Sequence, residues 1–281
     1  MSATRIAVLM TCHNRKAKTL LCLDSIYSQS GNKGLSFDVY LVDDGCTDGT
    51  IEEVKKRFPN IKILNADGNL YWNRGMHKAF SEALQHGYDY YVFINDDILL
   101  LKDGFSNLLR THKVVAKQKT TKALIVGTGV SSKSFNVTYG GLKRKSLLIP
   151  LSFRLLKPEP FIQNCDTMNG NCVLIPQEVA QRVGNLDYRF THSMGDIDYG
   201  LRAKKVGCQI FVAPGITFMC SRNSKENTWL DNNLNLSDRI KKLNDIKGLP
   251  PKERLIFLKR HSKLFWPIYF IYPYIKVLFS L

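Results

Sequence analysis

Two pairs of carboxylates close two of the most apolar runs in the sequence, Asp43–Asp44 in "LVDDGCTDGT" and Asp96–Asp97 in "YYVFINDDILLL". A charge taken out of water without a partner costs several kcal/mol, roughly, so such acids call for a turn, a cap, an ion pair or a ligand. Asp43 and Asp44 can accept hydrogen bonds from a base or ribose at a strand's carboxyl end; the same Asp and Gly residues also suit an ordinary turn. Beyond Asn95, the adjacent acids can offer hard oxygen ligands to Mg²⁺ or Mn²⁺ bridging a diphosphate, with Asp97 the direct ligand and Asp96 facing sugar or ribose. A cap on the following segment is the competing reading.

A third acid, Asp196 in "FTHSMGDIDYGLRAKKVGC", stands where a helical pattern begins, with Ile197 and Leu201 inward and Gly207 as the stop. A carboxylate there is stabilised by the helix dipole and can receive a substrate proton, or it can simply cap the helix. Asp198 lies four residues before Arg202, the spacing of an intrahelical ion pair. His192 is open to two readings, a substrate contact or a structural histidine. In "NADGNLYWNRGMHKAF", Arg74 enters a helix where it could meet a phosphate, and Tyr71–Trp72 read first as packing. "DTMNGNCVLIP" supplies a polar loop, Asn169–Gly170–Asn171, suited to lining a pocket.

The elements that must position these residues are short and nearly all apolar: "RIAVLM", "FDVYLV", "IKILN", "YYVFI", "ALIVG" and "CQIFVA". Helical patterns fall between the early ones, at 16–30, 49–58, 73–87 and 103–117, and Asp48 or Thr50 caps the second. Buried strands alternating with helices predict an α/β fold with a mostly parallel sheet flanked by helices. Residues 128–165 read as a long basic connection of the kind that serves as a lid or binding loop. After residue 222 the alternation gives way to a polar linker, basic amphipathic helices and an aromatic tail.

A chain of 281 residues with 44% hydrophobic content and 11% aromatics holds one large domain or one domain with an appendage, and is not disordered. Its net charge of +16 calls for a polyanionic partner: nucleic acid, an acidic membrane face or a phosphorylated substrate. Seven scattered cysteines without a C-x-x-C pair predict reduced thiols. The opening residues read as a first strand, not a signal peptide, and no apolar run is long enough for a bilayer, so a cytoplasmic protein is expected.

Taken in order, strand–TCHNR, strand–VDDGCTDGT, DGN-x-x-W-N-R-G-M, INDD, MNGNCVLIP and GDIDYGLRAKKVG make the chain resemble family 2 glycosyltransferases of the GT-A (Rossmann-like) fold, particularly the bacterial rhamnosyltransferase-like branch. The resemblance covers roughly residues 5 to 222. It implies an inverting transfer from a nucleotide-diphosphate sugar, dTDP-rhamnose or a UDP-sugar, to a lipid-linked surface-polysaccharide acceptor, with Mg²⁺ or Mn²⁺. By that resemblance Thr11, His13, Asn14, Arg15, Asp43, Asp44, Asp67, Asn69, Arg74, Asn95 and Asp96 surround the nucleotide. Asp97 holds the metal and Asp196 is the base. Trp72, Asn169, Gly170, Asn171, His192 and Asp198 meet donor sugar or acceptor. Three positions depart from the family pattern: Asn95 replaces the first acid of D-x-D, Gly195 replaces a Glu, and Met219 or Cys220 stands where some relatives carry a metal-binding His.

The expected division is a catalytic domain over 1–222 and a C-terminal extension over 223–281. Cationic residues beside Phe265, Trp266, Tyr269, Phe270, Tyr272 and Tyr274 suit an anionic membrane interface, placing the enzyme on the inner face of a bacterial cell membrane; a tail folded back on its own domain or on a second copy is the alternative. A nucleic-acid-binding protein and a non-catalytic nucleotide-sugar-binding protein are the other classes. No aromatic RNA-binding motif, zinc finger or basic recognition helix supports the former.

Overall fold

The computed structural model describes residues 3–30, 34–146 and 149–279. Four parallel strands carry the first half: β1 (Thr4–Cys12), β2 (Leu35–Asp44), β3 (Lys62–Ala66) and β4 (Tyr90–Ile94). They belong to an eight-stranded sheet. Beside β4 runs the antiparallel strand Cys172–Pro176, followed by Ala123–Val126, Gln209–Val212 and the edge pair Gln163–Asn164. All six apolar runs singled out from the sequence are strands of this sheet.

Continuous burial explains why those runs do not alternate. In β1, Ile6, Val8 and Met10 face one layer of core with Val39 and Leu41, while Ala7 and Leu9 face the other with Tyr40 and Val42. The first layer is completed by α1 (Lys16–Tyr27), α2 (Thr50–Arg57) and α4 (Gly104–Gln118), the second by α3 (Tyr71–Leu84), α5 (Gln177–Val183) and α6 (Gly195–Lys205). Asp48, not Thr50, supplies the side-chain oxygen at the start of α2: its carboxylate accepts from the Thr50 N–H at 3.1 Å, and also from the Lys16 N–H at 3.0 Å. The strand order reverses about β1, with β2 and β3 laid down on one side and β4 on the other, and ligands of open α/β sheets bind outside the carboxyl ends at such a point.

Residues 128–165 are not the irregular connection expected. They form short ladders: Gly141–Arg144 pairs with Phe153–Leu155 and Thr167–Met168, and Gly129–Val130 with Val137–Tyr139 and Phe218–Met219. Leu147 and Leu148 of that stretch, and Ser280–Leu281 of the tail, lie outside the described residues.

The C-terminal extension is helical and takes the folded-back arrangement given above as the alternative for its tail. After an exposed stretch near 221–227, α7 (Leu236–Asn244), α8 (Pro251–His261) and α9 (Trp266–Leu278) fold back on the first domain. Phe257 and Leu258 share a core with Phe190, Met194 and Leu201, and Trp266, Tyr269 and Phe270 pack against it. Most of the tail's aromatics therefore serve packing.

Candidate functional site

The carboxyl ends of β1, β2 and β4 open into a cleft of about 480 Å³. Thr11, His13 and Arg15 line it from the end of β1, and Asn95, Asp96 and Asp97 from the end of β4. The Arg15 guanidinium lies between the two acids, 3.2 Å from Asp96 Oδ1 and 3.1 Å from Asp97 Oδ2. Asp96 is buried, and burial pushes its carboxyl up to about 6 against the opposing pull of Arg15. Asp97 is more open and directs Oδ1 toward the Cys220 thiol at 3.9 Å. Of Met219 and Cys220, it is Cys220 whose side chain lies against Asp97. Burial first, then the Asp97 charge, pushes its thiol up to about 12, so it stays protonated.

Across the cleft, α6 begins at Gly195 after Met194, which adopts a left-handed φ of 71°. Asp196 is not the N-cap. It sits in the first turn, its Oδ2 accepting from the Gly170 N–H at 3.0 Å and its Oδ1 from the Ile197 N–H at 2.8 Å. Burial raises its pKa, and those N–H groups limit the rise. Trp72 closes the neighbouring wall, donating its indole N–H to Asn95 Oδ1 at 2.7 Å. Gly170 permits that approach, since a Cβ there would stand 2.6 Å from the Trp72 ring and 3.1 Å from Asp196 Cβ. Gly195 has an equally local reason: a Cβ would fall 1.7 Å from Asn73 Oδ1, so the buried Asn73 amide excludes the Glu of the family pattern.

Asn169, Gly170, Asn171 and His192 line the cleft as expected. The His192 Nδ1 is buried without a hydrogen-bond partner, and burial, then the charges of Lys247 and Arg15, lower its pKa to about 4. At neutral pH it is an uncharged imidazole. Asp44 also reaches the cleft, but its carboxylate is engaged: it accepts from the N–H groups of Gly68 and Leu70, each at 3.1 Å, and of Tyr71 at 2.8 Å. It shapes the loop ahead of α3.

Six expected site residues do not line the cleft. Asn14 takes a left-handed φ of 49° and accepts from the Thr47 N–H at 2.7 Å, tying the loops after β1 and β2 together. Asp43 closes its own turn through the Cys46 N–H at 2.8 Å, and Asp67 does the same through Asn69 at 3.1 Å. Arg74 turns away, donating to the Tyr188 carbonyl at 3.1 Å and stacking on its ring at 4.8 Å, so Arg15 is the cation at the acid pair. Asp198 is wholly buried and accepts from Arg202, Arg260 and His261 at 2.6–2.8 Å. The i+4 pair is present, but no oxygen is left for a sugar.

The sequence reading missed Tyr139, Ser193, Met194, Asn223 and Lys247, all of which line the cleft. Ser193 and Met194 were legible as part of "THSMGD"; Tyr139 and Lys247 arrive from distant segments without a local signal.

No group of three or more His, Cys, Asp or Glu among the described residues could hold a metal ion by itself. Mg²⁺ does not require one, because it commonly binds through one or two carboxylates with substrate phosphates and water completing its shell. Asp97, with hard oxygens at the open side of the acid pair, fits that mode.

Residues 7–180 match the family described as Glycosyl transferase family 2. An N-acetylglucosaminyl-diphospho-decaprenol L-rhamnosyltransferase of Mycobacterium tuberculosis is 22% identical over 193 residues, covering 60% of this chain and 61% of its own length. The chain therefore spans about three fifths of that relative. Among solved structures, GalNAc-T7 with UDP, GalNAc and Mn²⁺ superposes with a TM-score of 0.60 at 12% identity, over 90% of this chain and 51% of that one. Staphylococcus aureus TarS 1–349 with UDP superposes with a TM-score of 0.54 at 14% identity, over 91% and 70%. At these identities the likeness extends to the fold.

Proposed function

The chain belongs to glycosyl transferase family 2 and has the GT-A fold, and from that premise we propose that its cleft transfers a sugar from a nucleotide-diphosphate donor to an acceptor hydroxyl, inverting the anomeric centre. The observation that carries this reading is the pairing, in one cleft, of a single carboxylate at a helix start, Asp196, with the Arg15–Asp96–Asp97 group opposite.

The diphosphate lies against Arg15, whose guanidinium suits phosphate oxygens, at the end of β1. Asp97 would hold Mg²⁺ or Mn²⁺, which would supply positive charge against the leaving diphosphate. Thr11 and His13 border the nucleotide. The acceptor hydroxyl approaches the anomeric carbon from the opposite side; its oxygen bonds to that carbon as the bond to the diphosphate oxygen breaks, and its proton passes to Asp196. The raised pKa of Asp196 makes it a better proton acceptor than an ordinary carboxylate. Two backbone N–H groups fix the orientation of that carboxylate. Neutral His192 and Trp72 border the sugar.

The donor is dTDP-rhamnose or a UDP-sugar, the first suggested by the mycobacterial rhamnosyltransferase and the second by the UDP complexes of the fold relatives. The acceptor is a lipid-linked glycan of a bacterial surface polysaccharide, as the diphospho-decaprenol in that relative's name suggests. No helix among the described residues is long and apolar enough to cross a membrane; the lipid-linked acceptor is what places the enzyme in this reading at the inner face of the cell membrane, as a peripheral protein. Incubation with each donor and a lipid-linked N-acetylglucosamine acceptor is expected to give acceptor-dependent nucleoside diphosphate release with one donor and a product of inverted anomeric configuration. Retained configuration, or no turnover with any donor, would overturn this reading.

A further inference from the structure

The tail presents two faces. Inward, Trp266, Tyr269 and Phe270 pack on the third core, and Arg254 of α8 stacks on Phe270 and Tyr274 at 4.4 and 4.8 Å. Outward, Leu264, Ile268, Ile271, Tyr272, Ile275 and Leu278 recur every three or four residues, the spacing of one helix face, and are 39–92% exposed. Nothing among the described residues covers this stripe. We propose that it is the docking surface of the protein on an anionic lipid bilayer, with α9 lying in the plane of the headgroups.

Charge favours a lipid surface over a second copy of the chain. From Arg254 onward the sequence contains no acidic residue, while Lys259, Lys263 and Lys276 sit on or beside the helix, the charge pattern that anionic headgroups attract. The 13 residues of α9 extend roughly 20 Å at 1.5 Å per residue, too short for a hydrocarbon core of about 30 Å, so the helix lies on the surface without spanning it. The inference rests on the lipid-linked acceptor proposed above and assigns the surface that brings the enzyme to it.

The test is co-sedimentation with phosphatidylglycerol–phosphatidylcholine vesicles against phosphatidylcholine alone. The full chain should bind the anionic vesicles, and Ile268→Glu with Ile271→Glu should weaken partitioning about tenfold or more. Lys263→Glu with Lys276→Glu should remove the preference for anionic lipid. Nucleotide binding, measured on the same proteins, should be unchanged, because none of these positions lines the cleft. Equal vesicle binding by wild type and the isoleucine variant overturns the assignment. So does a light-scattering mass that falls from dimer to monomer in that variant. Loss of vesicle binding with intact nucleotide binding is the supporting result; a wild type that binds nucleotide but no vesicle overturns the docking surface and leaves the donor site standing.

Discussion

Asp196→Asn is expected to lower kcat by about 10²- to 10⁴-fold, the contribution of a positioned general base, while donor binding stays within about twofold. Asn keeps the size and shape, and its one carbonyl oxygen can retain one of the two bonds that Asp196 accepts, from the Gly170 or the Ile197 N–H, so the side chain stays in place and the main element lost is the proton acceptor. The sign of the pH dependence follows from burial. Activity needs Asp196 ionised, and its raised pKa moves the acid limb of the rate profile above the range of an ordinary carboxylate. Activity therefore rises with pH through that pKa in the wild type, and the limb disappears in the variant. Unchanged turnover would remove Asp196 from the reaction.

The second large effect is on stability. Asp198→Asn leaves Arg202 and Arg260 without their shared, fully buried carboxylate, and breaking such a pair costs about 3–5 kcal/mol. For a chain of this size that is a fall in Tm of roughly 10 °C. Burial alone would raise the Asp198 pKa, but hydrogen bonds from His261 and Arg202 and the Arg260 charge outweigh it and hold the carboxyl below its usual range. Burial likewise lowers His261, with Asp198 opposing only in part. Both groups bind fewer protons folded than unfolded, so wild-type stability rises with pH and is lost on acidification, first below about 6.5 as unfolded histidine protonates and further below about 3.8 as Asp198's share is lost. Thermal melts should show a smaller acid loss in Asp198→Asn below about 3.8, where Asp198's share is gone, while the loss that begins near 6.5 persists because burial still lowers His261. A variant that melts with the wild type would mean that the cluster does not tie α8 to α6.

How much of this was legible depends on how local the cause is. The strands were, because burial on both faces leaves continuous apolar runs; the 49–58 helix became Thr50–Arg57 for the same reason, a local amphipathic pattern with a cap. Ladders of two to four residues, such as Gly129–Val130 on Phe218–Met219, carry no periodicity and were read as loop. Asp198 divides the two cases well. Its partner at Arg202 is four residues away and was expected; Arg260 and His261 are more than sixty away and were not. Arg74 failed likewise, because the Tyr188 carbonyl and ring that hold it lie 114 positions on. In the cleft, the strand-end acids were found by chemistry, but only the fold sorted them into cleft-facing Asp96, Asp97 and Asp196 and turn-forming Asp43 and Asp67. Lys247 reaches the cleft from the C-terminal extension, far from the other lining residues in sequence.

The central claim is that the strand-end acids face a metal-bound nucleoside diphosphate, and calorimetric titration with dTDP, UDP, GDP and CDP, each with and without Mn²⁺ or Mg²⁺, tests it most directly. The wild type should bind one of them in a cation-dependent way, and Asp97→Ala should lose that binding by about tenfold or more, the scale on which losing a ligating group acts. Binding of none, or cation-independent binding unchanged in Asp97→Ala, would contradict it.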